Sequence, residues 1–274
     1  MFTLSIKNEN VEFNKPVVMG IINLTPDSFF ENSRKQNEDA VLFEVDKMMN
    51  EGATFIDIGG QSTRPGSEMI SVDEELKRVL TSLELITKKF PEVKISIDTF
   101  YSKVAHEAIH AGAVIVNDVS GGSFDDKMFS TVALLNVPYV CMHVKGQLNT
   151  MQQQTHYANV VDEVKNYFTE KVATCAVLGI KDVILDIGFG FSKTPEQNFE
   201  LIKNLNEFTK LEKPLLLGVS RKSSIYKTLG ITAEEALNGT TVLNTIGILN
   251  GVNILRVHDV KEAIEVIKLA KYFS

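Results

Sequence analysis

Apolar and polar positions divide this chain into two alternating kinds of segment. Eight short apolar runs recur along it, and most of them end on a polar or charged residue. The runs cover residues 17–23, 55–60, 95–98, 114–118, 139–143, 183–188, 215–222 and 254–258. Between successive runs lie amphipathic stretches long enough to form a helix. Eightfold alternation of strand and helix predicts a single α/β domain, 1–274, with the (β/α)8 TIM-barrel architecture.

The helices are expected near 38–51, 71–89, 101–111, 125–135, 158–179, 195–210, 222–229, 238–251 and 260–273. Two of their starts carry capping signals. Ser71 is followed three residues later by Glu74, as in a capping box, and Thr194 precedes Pro195. Residues 2–13 alternate around Asn8, Glu9 and Asn10. We therefore predict that 1–15 forms a β-hairpin that caps the bottom of the barrel.

The carboxyl ends of the strands meet at one mouth of such a barrel, where barrel enzymes hold their active sites. Residues as distant in sequence as Asn23 and His258 are therefore expected in one pocket. Three long polar connections, 23–37, 59–70 and 144–157, follow strands on this face. We interpret them as substrate loops, because long loops in compact domains are usually functional.

Composition narrows the range of partners. The 274 residues are 44% apolar and 23% charged, as in an ordinary globular protein, and the formal net charge is −7. This charge argues against a nucleic acid or an anionic membrane as partner. No run approaches the length of a membrane span, the N-terminus lacks a signal-peptide pattern, and Cys141 and Cys175 lie in apolar settings. We expect a cytoplasmic protein with reduced thiols.

Polar residues at the strand ends include an acidic set. Asp98, Asn117 and Asp186 are expected at one rim, where a ligand rich in N–H groups would satisfy the buried carboxylates. Asp118 is expected instead to cap a helix.

A basic set is expected opposite the acidic one. Arg64, Lys222, Arg256 and His258 suit phosphate oxygens. Asn23 and Thr63 could meet a metal or a phosphate, and the segment 220–224 leads into a helix whose first N–H groups, with the Ser223 hydroxyl, favour an anion. A pocket divided in this way suits transfer between a nitrogen heterocycle and a phosphate leaving group.

Two short motifs are better explained by structure than by chemistry. His106, Glu107 and His110 match the zinc-protease pattern H-E-x-x-H, but the apolar stripe of that helix places both histidines on its solvent side. Residues 188–194 imitate part of a phosphate loop without its Gly-Lys-Ser/Thr ending. We expect these glycines to allow close approach of the backbone to a ligand, with Phe191 as a flat apolar wall.

Eight ordered segments resemble the dihydropteroate synthases, the pterin-binding barrel enzymes of folate biosynthesis. The matching segments are 20–29, 57–66, 96–99, 117–122, 142–143, 186–191, 220–223 and 256–259. The resemblance covers almost the whole chain. It implies a transferase that joins the (7,8-dihydropterin-6-yl)methyl group of its diphosphate to p-aminobenzoate and releases pyrophosphate.

The same resemblance implies site residues, with Mg2+ near Asn23 and a homodimer. The implied pterin contacts are Asp98, Asn117, Val119, Met142, Asp186 and Lys222. The implied diphosphate contacts are Asn23, Thr63, Arg64, Arg256 and His258. The implied p-aminobenzoate contacts are Phe191 and Ser223. The implied catalytic set is Lys222, Asp98, Arg256, His258 and Glu31.

The chain departs from the family pattern at several loop positions. Phe30, Glu31, Asn32 and Ser33 stand where the family commonly has Ser-Asp-Gly-Gly, which is expected to stiffen the first loop. Gln61 replaces a usual glutamate, Leu148 and Ile187 usual prolines, and Ser192 a usual glycine. Two alternatives remain open: the pterin domain of a methyltetrahydrofolate methyltransferase, and a catalytically silent pterin-binding paralogue.

Overall fold

Eight parallel strands close into a barrel in the computed structural model, which describes residues 1–7, 9–24, 34–62, 67, 69–147 and 149–273. The barrel strands are β3 (Val17–Asn23), β4 (Phe55–Gly59), β5 (Ile95–Asp98), β6 (Ile115–Asp118), β7 (Tyr139–Met142), β8 (Val183–Asp186), β9 (Leu215–Leu217) and β10 (Ile254–Val257). Each strand pairs with the next along the chain, and β10 closes the barrel by pairing with both β9 and β3. The predicted (β/α)8 fold is confirmed.

Helices connect these strands and form the outer layer. They are α1 (Arg34–Glu51), α2 (Val72–Lys89), α3 (Ser102–His110), α4 (Met128–Leu135), α5 (Val160–Leu178), α6 (Pro195–Lys203), α7 (Leu205–Thr209), α8 (Ser223–Leu229), α9 (Leu237–Leu249) and α10 (Val260–Ala270). The strands read as continuous apolar runs because they are covered on both sides, by helices outside and by one another's side chains inside.

The capping signals are confirmed to different extents. Thr194 and Gln197 form a full capping box, with Pro195 in the first turn of α6. The Ser71 hydroxyl accepts from the Glu74 amide, but the Glu74 carboxylate pairs with Arg78 at 2.8 Å. The single helix predicted over 195–210 is wrong, because Asn204 has φ −110° and separates α6 from α7.

The N-terminal hairpin caps the bottom of the barrel, as predicted. Strands β1 (Phe2–Ile6) and β2 (Glu9–Phe13) pair antiparallel, with Phe2 opposite Phe13. Their apolar side chains pack against inward-facing residues at the amino ends of the barrel strands. The Phe13 ring, for example, lies 5.7 Å from that of Phe55. One cluster therefore joins the hairpin to the interior of the barrel.

None of the helices in the described part of the chain combines the length and the apolar character that a membrane span requires.

Candidate active site at the mouth of the barrel

The inward-facing positions change from apolar to polar toward the carboxyl ends of the strands. Period-two alternation places Asp57 two residues after the buried Phe55, Asn117 after Ile115, and Arg256 after Ile254. Asp186 follows Ile184 in the same way. The polar side chains therefore form a layer directly above the apolar filling of the barrel.

Arg256 lies at the centre of this polar layer. Its Nε donates to Asp57 Oδ2, and its Nη2 donates to Asp98 Oδ2, both at 2.6 Å. Burial alone would lower the pKa of Arg256, but the two carboxylates outweigh it and raise the pKa above its ordinary value. The guanidinium thus stays charged and fixed in position by two acids from neighbouring strands.

Asp57 is a site residue that the sequence analysis missed. It is fully buried, and Oδ2 also accepts from the Asn117 side-chain amide at 2.9 Å, whereas Oδ1 has no hydrogen-bond partner among the described residues. An acid inside the apolar run FIDIG was the available signal, because a buried carboxylate needs a partner. Asp57 links the predicted acidic residue set to Arg256 of the basic set.

Burial governs the protonation of the two predicted acids. It raises the pKa of Asp98 to about 7 despite the opposing charge of Arg256. It also raises the pKa of Asp186, against the influence of Lys222 and of the Gly188 amide, which donates to Asp186 Oδ1 at 2.8 Å. Both carboxylates would therefore gain from a ligand that donates hydrogen bonds to them.

Lys222 faces Asp186 from the end of the following strand. Its Nζ donates to the carbonyl oxygen of Phe189 at 2.6 Å and lies 4.5 Å from the centre of the Phe191 ring. Burial lowers the pKa of Lys222 to about 8, while Asp186 opposes that shift. The lysine thus combines a cation, an aromatic face and a nearby carboxylate in one corner of the mouth.

The apolar side of the mouth is a compact cluster. Val119, Met142 and Phe191 pack there with Phe100, Val144 and Met151. The Phe191 side chain is only 8% exposed, so it forms part of the wall, as predicted. Gly188 and Gly190 have φ of +65° and +84°. A Cβ on Gly188 would overlap the His143 carbonyl oxygen. In the described residues, Gly188 therefore allows the backbone to approach another part of the chain.

His258 extends the basic side toward solvent. Its Nδ1 lies 2.9 Å from Ser220 Oγ, which also accepts from the His258 backbone amide at 3.2 Å. Arg221 turns away and pairs with Asp259. The Ser224 hydroxyl accepts from the Asn198 side-chain amide inside the protein at 3.0 Å. Ser223 is the first residue of α8 and is half-buried.

The comparisons with known proteins agree with this geometry. Residues 19–258 match the family model described as pterin binding enzyme. A dihydropteroate synthase of Escherichia coli is 39% identical over 270 residues, which cover 98% of this chain and 95% of that protein. The folic acid synthesis protein of Pneumocystis carinii is 42% identical over 96% of this chain, which spans 37% of that protein.

A solved structure gives the same result. The Xanthomonas albilineans dihydropteroate synthase with 4-aminobenzoic acid has a TM-score of 0.91 and 33% identity, and the match covers 99% of this chain and 97% of that one. The chain belongs to the dihydropteroate synthase family. The resemblance seen in the sequence is confirmed, and a dihydropteroate synthase is a transferase of folate synthesis.

Most residues expected in a dihydropteroate synthase site lie at the carboxyl ends of the barrel strands or in the segments that follow them. Those within the described residues are Asn23, Asp98, Asn117, Val119, Met142, Asp186, Phe191, Lys222, Ser223, Arg256 and His258. Glu31, Thr63 and Arg64 lie outside them.

Asp118 and the H-E-x-x-H histidines have structural surroundings and are not part of the candidate active site. Asp118 accepts from the Ser120 and Gly122 amides and from Tyr139 Oη, so it holds a turn. The expectation that it caps a helix is wrong, since α4 begins only at Met128. His106 and His110 are exposed on α3, as predicted, with their rings stacked at 4.3 Å.

Proposed function

We propose that the mouth of the barrel binds (7,8-dihydropterin-6-yl)methyl diphosphate in an acidic half and a basic half, and that p-aminobenzoate enters beside Phe191. The observation that carries this assignment is the pairing of Arg256 with Asp57 and Asp98, because it brings the two halves within hydrogen-bond distance. Pyrophosphate and 7,8-dihydropteroate are the products.

The acidic half suits the pterin ring. Burial raises the pKa of Asp98 and of Asp186, so the donors that they already have do not fully compensate for the loss of water. The pyrimidine edge of a pterin presents further N–H donors. Asn117 can donate and accept beside them, and Lys222 supplies a cation for a ring acceptor. Val119 and Met142 provide apolar contact for the ring face.

The basic half suits the diphosphate. Arg256 and His258 face it from β10 and the residue after it, and Asn23 adds a neutral amide at the end of β3. Thr63 and Arg64 are proposed to join them. Breaking the C–O bond leaves its electron pair on pyrophosphate, so fixed positive charge at this position stabilises the departing group.

A magnesium ion fits the residues present. Among the described residues, no three His, Cys, Asp or Glu side chains converge as a metal cage. Asn23 would offer one amide oxygen, which suits Mg2+ because that ion commonly combines few protein oxygens with water and substrate phosphates. When bound, it would neutralise charge on the diphosphate.

The second substrate is proposed to lie between Phe191 and the start of α8. The Phe191 ring offers its face to the aminobenzoate ring, and the half-buried Ser223 can donate to its carboxylate. The amine nitrogen then forms the new bond to the pterin methylene carbon and releases one proton to solvent. Glu31 is proposed to shield that carbon from water.

We also propose a cytoplasmic homodimer. Leu229 of α8 and Val242 and Leu249 of α9 are large apolar side chains about half exposed on neighbouring helices. A second copy covering them would remove this apolar area from water. Sedimentation velocity should give twice the mass of one chain. Cys141 and Cys175 are buried free thiols, which suits a reducing compartment.

A pyrophosphate-release assay with purified protein, Mg2+ and both substrates tests the activity. Wild-type protein should release pyrophosphate only with p-aminobenzoate present, and Lys222→Ala and Asp186→Asn should each lower kcat/KM at least a hundredfold. Wild-type-like turnover in either variant would contradict the assigned pocket. Calorimetry followed by activity assays separates the alternatives. Binding of pterin diphosphate in the calorimeter without pyrophosphate release indicates a silent paralogue. Methyl transfer from methyltetrahydrofolate in an activity assay indicates the methyltransferase.

A further inference from the structure

Lys193 is a buried lysine that the proposed reaction does not use. It follows the loop 187–192, and only 5% of the residue is exposed. Its Nζ lies 3.1 Å from the Gly188 carbonyl oxygen, 3.0 Å from the Phe191 carbonyl oxygen and 2.9 Å from His143 Nδ1. The His143 carbonyl oxygen is a fourth contact at 3.4 Å. One nitrogen thus holds two strand-end segments together.

His143 is a neutral member of this cluster. Burial lowers its pKa to about 2, with Lys193 adding to the effect, so the ring is neutral. Burial also lowers the pKa of Lys193 itself, while Asp186 opposes that shift. An amine in either protonation state has at least two N–H groups to donate here, so the contacts to the loop carbonyls persist.

The loop lies between two lysines. Lys193 Nζ contacts the carbonyls of residues 188 and 191, while Lys222 Nζ takes the intervening Phe189 carbonyl at 2.6 Å. Positive φ at Gly188 and Gly190 permits this path. The segment is neither helix nor strand. Its one turn closes where the Phe191 amide donates to the Gly188 carbonyl oxygen at 3.0 Å, and the Gly190 amide donates to Asn198 Oδ1 at 2.8 Å. The two lysines add donors to the carbonyls of this turn.

This arrangement has a consequence for the mouth. Phe191, on this loop, belongs to the corner that receives the aromatic amine. Lys222, which is proposed to contact the pterin, lies on a separate segment directly before α8, with its Nζ 4.5 Å from the Phe191 ring centre. Asp57, Asn117 and Arg256, by contrast, are held by one another and by Asp98 on other strands. Movement of the loop should therefore disturb one substrate more than the other.

We propose that Lys193 is a positioning residue for the second substrate: it holds the 188–191 backbone so that the Phe191 ring keeps the position that p-aminobenzoate requires. This inference rests on the proposed function. Lys193 acts through the backbone and does not itself touch the substrate.

The test compares Lys193→Met, which keeps an unbranched apolar stem of four atoms but removes Nζ and its N–H groups, with wild type. Lys193→Gln keeps two N–H groups on a shorter side chain, and Lys165→Met, which removes a surface ion pair with Glu207, is the matched control. Lys193→Met should raise KM for p-aminobenzoate at least tenfold, and its Kd for pterin diphosphate should change less than threefold. Lys193→Gln should show a smaller rise, and Lys165→Met no change.

Three results would overturn the proposal. They are an unchanged KM for p-aminobenzoate in folded Lys193→Met, an equal loss for both substrates, and an equal effect of Lys165→Met. If Lys193→Met does not fold, the KM of Lys193→Gln decides in the same way. Absence of pyrophosphate release by wild type would contradict the proposed function instead. In that case, titrating p-aminobenzoate into protein saturated with pterin and pyrophosphate still measures the difference.

Discussion

The Asp57 carboxylate, fully buried in β4, accepts from Arg256 Nε of β10 at 2.6 Å. The two residues are 199 positions apart in the sequence. This pair fixes the guanidinium whose other edge reaches Asp98. The position of Arg256 therefore depends on an acid that is itself buried in the polar layer of the barrel.

Asp57→Asn should lower kcat/KM for pterin diphosphate by ten- to a hundredfold. The amide removes a negative charge and one acceptor, so Arg256 loses the partner that orients it, a change of about 1.4–2.8 kcal/mol in barrier. Initial-rate measurements on the folded variant check this. Asp73→Asn, which alters an exposed pair with Lys103, should be silent. Equal rates for both variants and wild type would mean that Asp57 does not position Arg256.

The activity should fall as pH drops below about 7. Burial raises the pKa of Asp98 to about 7, so its carboxylate form, which is proposed to accept from the pterin, is lost on acidification. Well below that pH, kcat/KM for pterin diphosphate should decrease tenfold per unit. A pH profile of kcat/KM measures this limb. Asp98→Asn should remove it together with most activity, and a wild-type limb near pH 4 would contradict the assignment.

Glu75 should make stability depend on pH. It lies under Gly60, where an added Cβ would be 3.0 Å from its Cγ, and neither carboxyl oxygen has a hydrogen-bond partner of good geometry among the described residues. Burial raises its pKa from 4.5 to about 7, with Thr99 opposing. The folded state thus holds the proton more tightly than the unfolded chain. The stabilisation is complete below pH 4.5 and is lost as pH rises through 7.

Wild type should therefore lose stability between pH 5 and pH 8, and Glu75→Gln should not. The gain in the free energy of unfolding of Glu75→Gln over wild type should be larger at pH 8 than at pH 5 by up to roughly 3 kcal/mol. Urea denaturation at the two pH values measures the difference. Glu84→Gln on the same helix, at a less buried position, is the control. Parallel pH dependence in Glu75→Gln and wild type would exclude this role for Glu75. The acid limb of kcat/KM should persist in Glu75→Gln, which separates this residue from Asp98.

Ser192 should tolerate glycine better than alanine. It has φ of +49°, and its hydroxyl accepts from the Lys145 amide at 2.9 Å. Alanine would keep the strained backbone and lose the hydrogen bond, which costs about 1–2 kcal/mol, whereas glycine relieves the strain and recovers about 1 kcal/mol. The free energies of unfolding of the two variants should differ in that order, and greater stability of the alanine variant would contradict it.

The barrel could be predicted because its signal is repeated. Eight apolar runs with helical spacing leave few other topologies, and strand periodicity then places Asp98, Asp186 and Arg256 on the inner surface. The break at Asn204 could not be predicted, since the apolar spacing of 195–210 continues through it and only the local backbone reveals the turn.

The missed site residues share a physical reason. Asp57 and Lys193 are ordinary charged residues in sequence, and their importance depends on partners far away along the chain, such as Arg256 and His143. Asp118 is expected to cap a helix because strand ends often precede helices, but Met128 lies ten positions further along the chain, and the Asp118 carboxylate holds the intervening turn. For Asp57 the sequence offers one signal, an acid inside the apolar run FIDIG, whereas the roles of Lys193 and Asp118 are visible only from their tertiary contacts.

The β1–β2 hairpin closes the end of the barrel opposite the candidate active site. Phe2 and Phe13 close its lower end, so molecules reach the polar layer from above and leave by the same route. Substitutions in the hairpin should affect the reaction through the stability of the barrel. Substitutions at the carboxyl ends of the strands should affect it directly. Substitutions at the two ends of the barrel should therefore have separate effects. Phe55, which packs on Phe13, connects the hairpin to the barrel interior.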